Sequence, residues 1–181
     1  IGAIGEVSLE SKNAIDSARA HYDAYIAKGG DGTRITNGDV LTAAEDMYKL
    51  CLIDAEEQEV ENTIEHRQAD GADYYVLTNV EQLNWFAKLV NGELALKPQN
   101  AAANAMLGND IVLNENLLSG ILDENGALTE DSGKLDSLTQ IRRISNFAGV
   151  FDGDGHAISG LYYNMEDNSQ AVTLFAGNMR G

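Results

Sequence analysis

The chain has one cysteine, one proline and one tryptophan in 181 residues, and only 12 basic side chains against 29 acidic ones. A lone Cys51 rules out a disulfide within the chain and, by count, a Cys/His zinc cluster of the structural kinds that take two to four cysteines. It stands in the apolar stretch Leu50-Cys-Leu-Ile53, where packing is a better reading than reactivity. No apolar run approaches the roughly 18 residues of a membrane span. The shortage of lysine and arginine leaves a net charge of −17. Cutting at Asp70 gives six basic and fifteen acidic residues before the cut and six and fourteen after it, so both halves are acidic. Such a surface repels nucleic acid and anionic membranes, and it favours solubility. The chain opens on Ile1 without a signal-peptide pattern, as a piece of something longer or already processed would.

Hydrophobic content of 44% is ordinary and supports a packed core. The length suits one medium domain or two small ones, and the composition break at Gln68-Ala-Asp-Gly-Ala-Asp73 is the natural boundary, giving 1–70 and 71–181. After the apolar-glycine lead-in Ile1 to Leu9, Ser11 can cap a helix carrying Ile15, Ala18, Tyr22, Tyr25 and Ile26 at helical spacing. Lys28-Gly-Gly-Asp-Gly32 ends it. A second helix, capped by Asn37 or Asp39, places Val40, Leu41, Ala44, Tyr48, Cys51 and Leu52 on one stripe and runs to about His66, through an acidic turn at 54–59. The two make an antiparallel hairpin.

Beyond the boundary, Tyr74-Tyr-Val-Leu77, Met106-Leu107, Ile111-Val-Leu113 and Val172-Thr-Leu-Phe175 read as strands. Thr78-Asn-Val-Glu81 fits a capping box before an amphipathic helix of Leu83, Phe86, Ala87 and Val90, closed by Asn91-Gly92. Leu117 to Thr139 is an acidic loop, and Gly177-Asn-Met-Arg-Gly181 closes the chain. The stretch Asn146 to Tyr163 holds two short strands joined by the turn Asp152-Gly-Asp-Gly155, with Gly160 marking a corner or bulge. Short strands, glycine corners and adjacent asparagines predict a solenoid, with the helix at 79–90 as its end cap. The expected fold class is therefore α+β: a helical hairpin followed by a helix-capped short right-handed β-helix.

Candidate chemistry is thin. Asp152 and Asp154 could offer carboxylates to calcium, yet an EF-hand loop counted from Asp152 places Tyr163 where the bidentate glutamate belongs, so a turn is the preferred explanation. His156 has no nucleophile placed beside it and reads as part of that turn. Trp85 with Tyr74, Tyr75, Tyr162 and Tyr163 could build a sugar-stacking platform, but Trp85 beside Phe86 on a short helix reads first as packing. Arg142-Arg143 offsets neighbouring acids. No catalytic, cofactor-binding or metal residue is assigned, and no cofactor is expected.

Two resemblances set the address. Tyr75-Val-Leu77, Glu81-Gln-Leu-Asn-Trp-Phe-Ala87, Val90-Asn91, Asn104-Ala-Met-Leu107, Asp110-Ile-Val-Leu-Asn114, Gly149 through Leu161 and Leu174-Phe175 together resemble the start of the right-handed β-helix modules in large cell-surface proteins of Gram-positive gut bacteria. That pattern carries Pro-Ile-Gly before its Phe-Asp-Gly block, where this chain has Ile141-Arg-Arg-Ile-Ser-Asn146, and the acidic insert at 119–139 is longer. Ile4-Gly5-Glu-Val7, Ser11-Lys-Asn-Ala-Ile15, Ala18-Arg19, Tyr22-Asp-Ala-Tyr25, Thr36-Asn37, Leu41, Ala44-Glu45 and Tyr48 resemble the small helical repeats between domains of the same proteins. Those repeats place a turn of helix between their two main helices; Gly29-Gly-Asp-Gly32 implies a plainer loop. The resemblances imply an extracellular, wall- or surface-attached protein with further domains after Gly181. The implied role is structural or adhesive rather than enzymatic, with glycans or host or bacterial surface proteins as partners. The alternative is a truncated carbohydrate-active β-helix enzyme, a polysaccharide lyase or glycoside hydrolase.

Overall fold

The computed structural model describes residues 6–115, 123–125, 127, 137–163 and 173–176. The lead-in through Gly5, most of the acidic insert, Val172 and the closing Gly177-Asn-Met-Arg-Gly181 lie outside the described residues. The chain divides into two compact units, Ile1–Glu59 and Val60–Gly181.

The first unit opens on a single 3₁₀ turn, Leu9–Ser11, capped reciprocally by two serines. The Ser8 hydroxyl accepts from the Glu10 amide at 3.3 Å and the Ser11 hydroxyl accepts from the Ser8 amide at 3.0 Å. Ser11 thus serves the turn before the helix and makes no side-chain bond to the helix itself. Helix α1 spans Lys12–Ala27. Gly29, at φ 81°, ends it: the Gly29 amide donates to Ile26 and the Gly30 amide to Tyr25, which satisfies two of the last carbonyls. The loop is less plain than expected, since Gly32–Arg34 forms a further 3₁₀ turn capped by the Asp31 carboxylate on the Thr33 amide.

Helix α2 spans Gly38–Glu61. Tyr22, late in α1, lies beside Gly38, and Arg19 reaches Glu45, so the two helices run antiparallel. Among the described residues the shared core of this unit is Ile15, Leu41 and Ala44, with Val7, Ala18, Tyr22 and Tyr48 partly buried around it. Val40 and Leu52, placed on the buried stripe by periodicity, are exposed, as are Tyr25 and Ile26. The helix also stops at Glu61, short of His66.

His66 belongs instead to strand β1, Glu65–Ala69, which Asp70-Gly71 joins to β2, Ala72–Leu77. Both turn residues have positive φ, 52° and 79°, as a two-residue hairpin with right-handed strand twist requires. The composition break at 68–73 is therefore the tip of a hairpin inside the second unit. The polar run Glu65-His-Arg-Gln-Ala69 becomes a strand because β2 offers it an edge, pairing Glu65 with Val76 through Ala69 with Ala72.

Helix α3, Val80–Asn91, starts one residue later in its cap than the Thr78 box implies. Asn79 accepts from the Gln82 amide at 2.9 Å, and the Gln82 side chain reaches back to the Thr78 amide at 2.7 Å. Gly92 at φ 74° closes the helix as expected. Strand β3 is Asn104–Leu107, β4 Ile111–Val112, β5 Ile144–Ser145, β6 Phe151–Asp152, β7 Ile158–Ser159 and β8 Phe175–Ala176. The largest sheet has the order β1-β2-β3-β6, with β1 antiparallel and the other pairs parallel. Two separate two-stranded parallel pairs, β4 with β7 and β5 with β8, complete the set.

This arrangement overturns the right-handed β-helix expected over 71–181. The described residues form an α+β unit with small mixed sheets and no solenoid. The hairpin brings an antiparallel strand to one side of the main sheet, and the two satellite ladders hold two residue pairs each. Stacked coils need about three repeats to bury a common core. Here the core is instead a helix on a sheet face. Tyr75, Leu77, Ala105 and Leu107 point to α3, which buries Leu83, Trp85, Phe86, Ala87, Leu89 and Val90 against them. Tyr74, Val76 and Met106 alternate to the opposite face. The strands flanking Asp152–Gly155 are likewise no hairpin, because β6 joins β3 and β7 joins β4.

Candidate functional site

At the Asp152–His156 corner the Asp152 carboxylate accepts from the Asp154 amide at 2.9 Å, and the His156 amide donates to the Gly153 carbonyl at 2.7 Å. Asp154 and Gly155 both take positive φ, 45° and 81°, the backbone requirement for so sharp a turn. Asp110 accepts from the Ala157 amide at 2.9 Å and stands 3.4 Å from the His156 ring. Asp154 pairs with Arg67 at 3.1 Å. Each carboxylate thus serves a backbone amide or a neighbouring side chain. Among the described residues no group of three or more histidine, cysteine, aspartate or glutamate side chains could hold a metal ion.

The aromatic residues do not assemble into one platform. Tyr74 and Tyr75 lie on opposite faces of β2. Trp85 is 3% exposed, with its ring 5.5 Å from that of Tyr75 and the Lys97 ammonium 5.2 Å above it. Lys97 is held there by an ion pair with Glu61. Burial raises the Tyr75 and Tyr163 hydroxyls above the usual tyrosine range. Phe86 meets Phe147 and Phe151 at 6.1 Å, and Phe151 meets Phe175 at 4.9 Å, so this aromatic cluster is core.

Two open cavities stand out among the described residues. One of about 500 Å³ in the first unit is lined by Ile15, Asp16, Arg19, Asp23, Glu45 and Lys49, among others. Arg19 grips Glu45 through two bonds of 2.6 Å, and this hydrogen bonding holds the Glu45 carboxyl below the usual glutamate range. The other, about 380 Å³ in the second unit, is lined by Asn84, Lys88, Gln140, Ile141 and Arg142. Asn84 accepts from the Arg142 amide at 3.2 Å, and the Arg142 guanidinium pairs with Glu93, as the expected offsetting of acids requires. In both cavities the arginine that could grip a ligand is already engaged with a glutamate. Cys51 is half-buried and its thiol points to the Val7 carbonyl at 3.7 Å.

Sequence reasoning missed two features. Gln82 is 3% exposed and bonds Thr78 and Thr63, the latter through both its carbonyl and hydroxyl at 3.1 and 3.0 Å. Its place three residues after Asn79 is the available signal. The second feature is another apolar stripe on α2, made of Val40, Met47, Leu50 and Ile53, which lie 46, 41, 37 and 44% exposed. A single-stripe reading of α2 mixes it with the face that packs on α1. A scan against protein-family models finds no match, and searches of curated proteins and of solved structures find none either.

Proposed function

We propose that this chain is a non-catalytic structural or adhesive segment of an extracellular bacterial surface protein. One observation carries the reading. The ionisable groups that sequence patterns single out are spent on architecture, as at the Asp152–His156 corner, where carboxylates hold backbone amides rather than converge on open space. General acid–base or nucleophilic work needs side chains aimed at a shared reacting point. The blockwise resemblance of 1–65 to the helical repeats of surface proteins supports the address, whereas that of 74–181 lends none, because the β-helix it implied is not the fold. A net charge of −17 fits partners other than nucleic acid or anionic lipid.

The test is to apply the purified chain to glycan arrays and to immobilised surface-protein extracts while assaying polysaccharide turnover. The expected result is retention on one of these surfaces with no new reducing ends or unsaturated products. Release of such products by the purified chain would replace this reading with a carbohydrate-active enzyme.

A further inference from the structure

The exposed stripe of α2 is unlike the scattered apolar residues of an ordinary surface. Among the described residues, eight of the eleven exposed large hydrophobic side chains fall in the first unit, and Val40, Met47, Leu50 and Ile53 lie along one side of one helix. Exposed Ala43 continues the line, at spacings of three and four that keep it on a single face. The stripe covers 14 residues, or about 20 Å at helical rise. A groove or ridge of that length matches a partner helix of three to four turns, the helix-in-groove mode of recognition.

Charge decides the occupant. Asp39 and Asp46 flank the stripe on one side, seven residues apart, and Asp54 follows Leu50 at a spacing of four, at the end of the line of Val40, Ala43, Met47 and Leu50. Lys49, the one lysine or arginine in the α2 sequence, is exposed and already paired with Asp46 at 2.8 Å. The unit as a whole holds five basic and twelve acidic residues, a net charge of −7. A second copy laid antiparallel on the stripe would set Asp39 against Asp54 of its mate and bring carboxylate to carboxylate along the seam. An anionic bilayer would be repelled in the same way. An amphipathic helix with lysine or arginine flanking its apolar face answers both features at once, burying its leucines on Val40, Met47 and Leu50 and pairing its cations with the three aspartates. We infer that this face of α2 is a docking surface for a basic amphipathic helix of another protein. The inference does not depend on the surface-protein reading.

The probe is a leucine–lysine amphipathic peptide of about 14 residues, the length set by the stripe. Binding to the full chain is followed by fluorescence anisotropy, beside a shuffled peptide of the same composition and a leucine–glutamate peptide with the same apolar face. The expected result is that the amphipathic basic peptide binds at least about tenfold more tightly than either control, and that Met47→Gln and, separately, Val40→Gln weaken it by about tenfold while circular dichroism stays unchanged. Equal binding of the shuffled peptide would reduce the effect to bulk charge attraction and overturn the proposal. So would equal binding of the acidic peptide, no measurable binding, indifference to both substitutions, or a concentration-dependent dimer in sedimentation that Met47→Gln abolishes.

Discussion

The two units of this chain bury their apolar residues very differently. In the first, two helices share three buried hydrophobic side chains among the described residues and leave a second stripe in water. In the second, sixteen buried hydrophobic residues form one cluster around Phe86, drawn from α3, the sheet and the satellite ladders. The comparison teaches that helical periodicity alone does not say how much of a helix will be covered. That depends on how many partners surround it. Helix α3 has a sheet and several loops against it and buries seven of its twelve residues, including Gln82. Helix α2 is twice as long at 24 residues, and among the described residues it buries three, Leu41, Ala44 and Glu57, of which Leu41 and Ala44 share a core with Ile15 of α1.

The largest effect that would sharpen this contrast is expected from Phe86→Ala, which should cost about 3–5 kcal/mol, against about 2–5 kcal/mol for Leu41→Ala. Trp85, the sole tryptophan, reports the second unit, and far-UV circular dichroism weights the 40 residues of α1 and α2. Phe86→Ala should move the fluorescence transition and Leu41→Ala the dichroism transition. If both probes shift together in both variants, the units unfold as one and the contrast fails.

Next in size is Gly160→Ala. Gly160 sits at φ 68°, and a Cβ there would lie 2.3 Å from the Asn114 carbonyl oxygen. Backbone strain of about 1–3 kcal/mol adds to the overlap, so loss of at least about 2 kcal/mol is expected in chemical denaturation. A smaller loss, about 1–3 kcal/mol, is expected for Asn91→Ala. Its side chain accepts from the Ser145 amide and donates to the Arg143 carbonyl, both at 2.7 Å, tying α3 to β5.

The smallest effect belongs to the first unit. The Arg19 hydrogen bonds lower the Glu45 pKa in the folded state. A depressed carboxyl contributes stability that is present above the unfolded value, about 4.3, and is lost as pH falls through the folded value. Helicity should therefore weaken on acidification below that range, and Arg19→Gln should flatten this part of the pH profile. An unchanged profile would remove the pair from the account of what holds α1 to α2.

Much of the second unit's strand content is legible in the sequence. Tyr74-Tyr-Val-Leu77 and Ile111-Val112 carry β-branched and aromatic residues in short runs, and Asn91-Gly92 marks a helix end by backbone chemistry alone. Glu65–Ala69 is not legible, because four of its five residues are exposed and its only reason to extend is the β2 edge. The Asp70-Gly71 pair is visible as a turn, but only pairing across it distinguishes a hairpin tip from a domain boundary. The structural role of the Asp152–Gly155 corner can be anticipated from glycine and aspartate turn preferences, whereas the pairing of its two flanking strands cannot.

The residues by themselves determined the acidic surface, the absence of any internal disulfide, the glycine-ended helices and the sharp corner after Asp152, because each follows from charge count or from local backbone sterics. Which strands pair, which face of β2 meets α3, and which stripe of α2 is left open were decided in three dimensions. Those outcomes depend on edges and surfaces contributed by segments far apart in the chain, and no local window contains both partners.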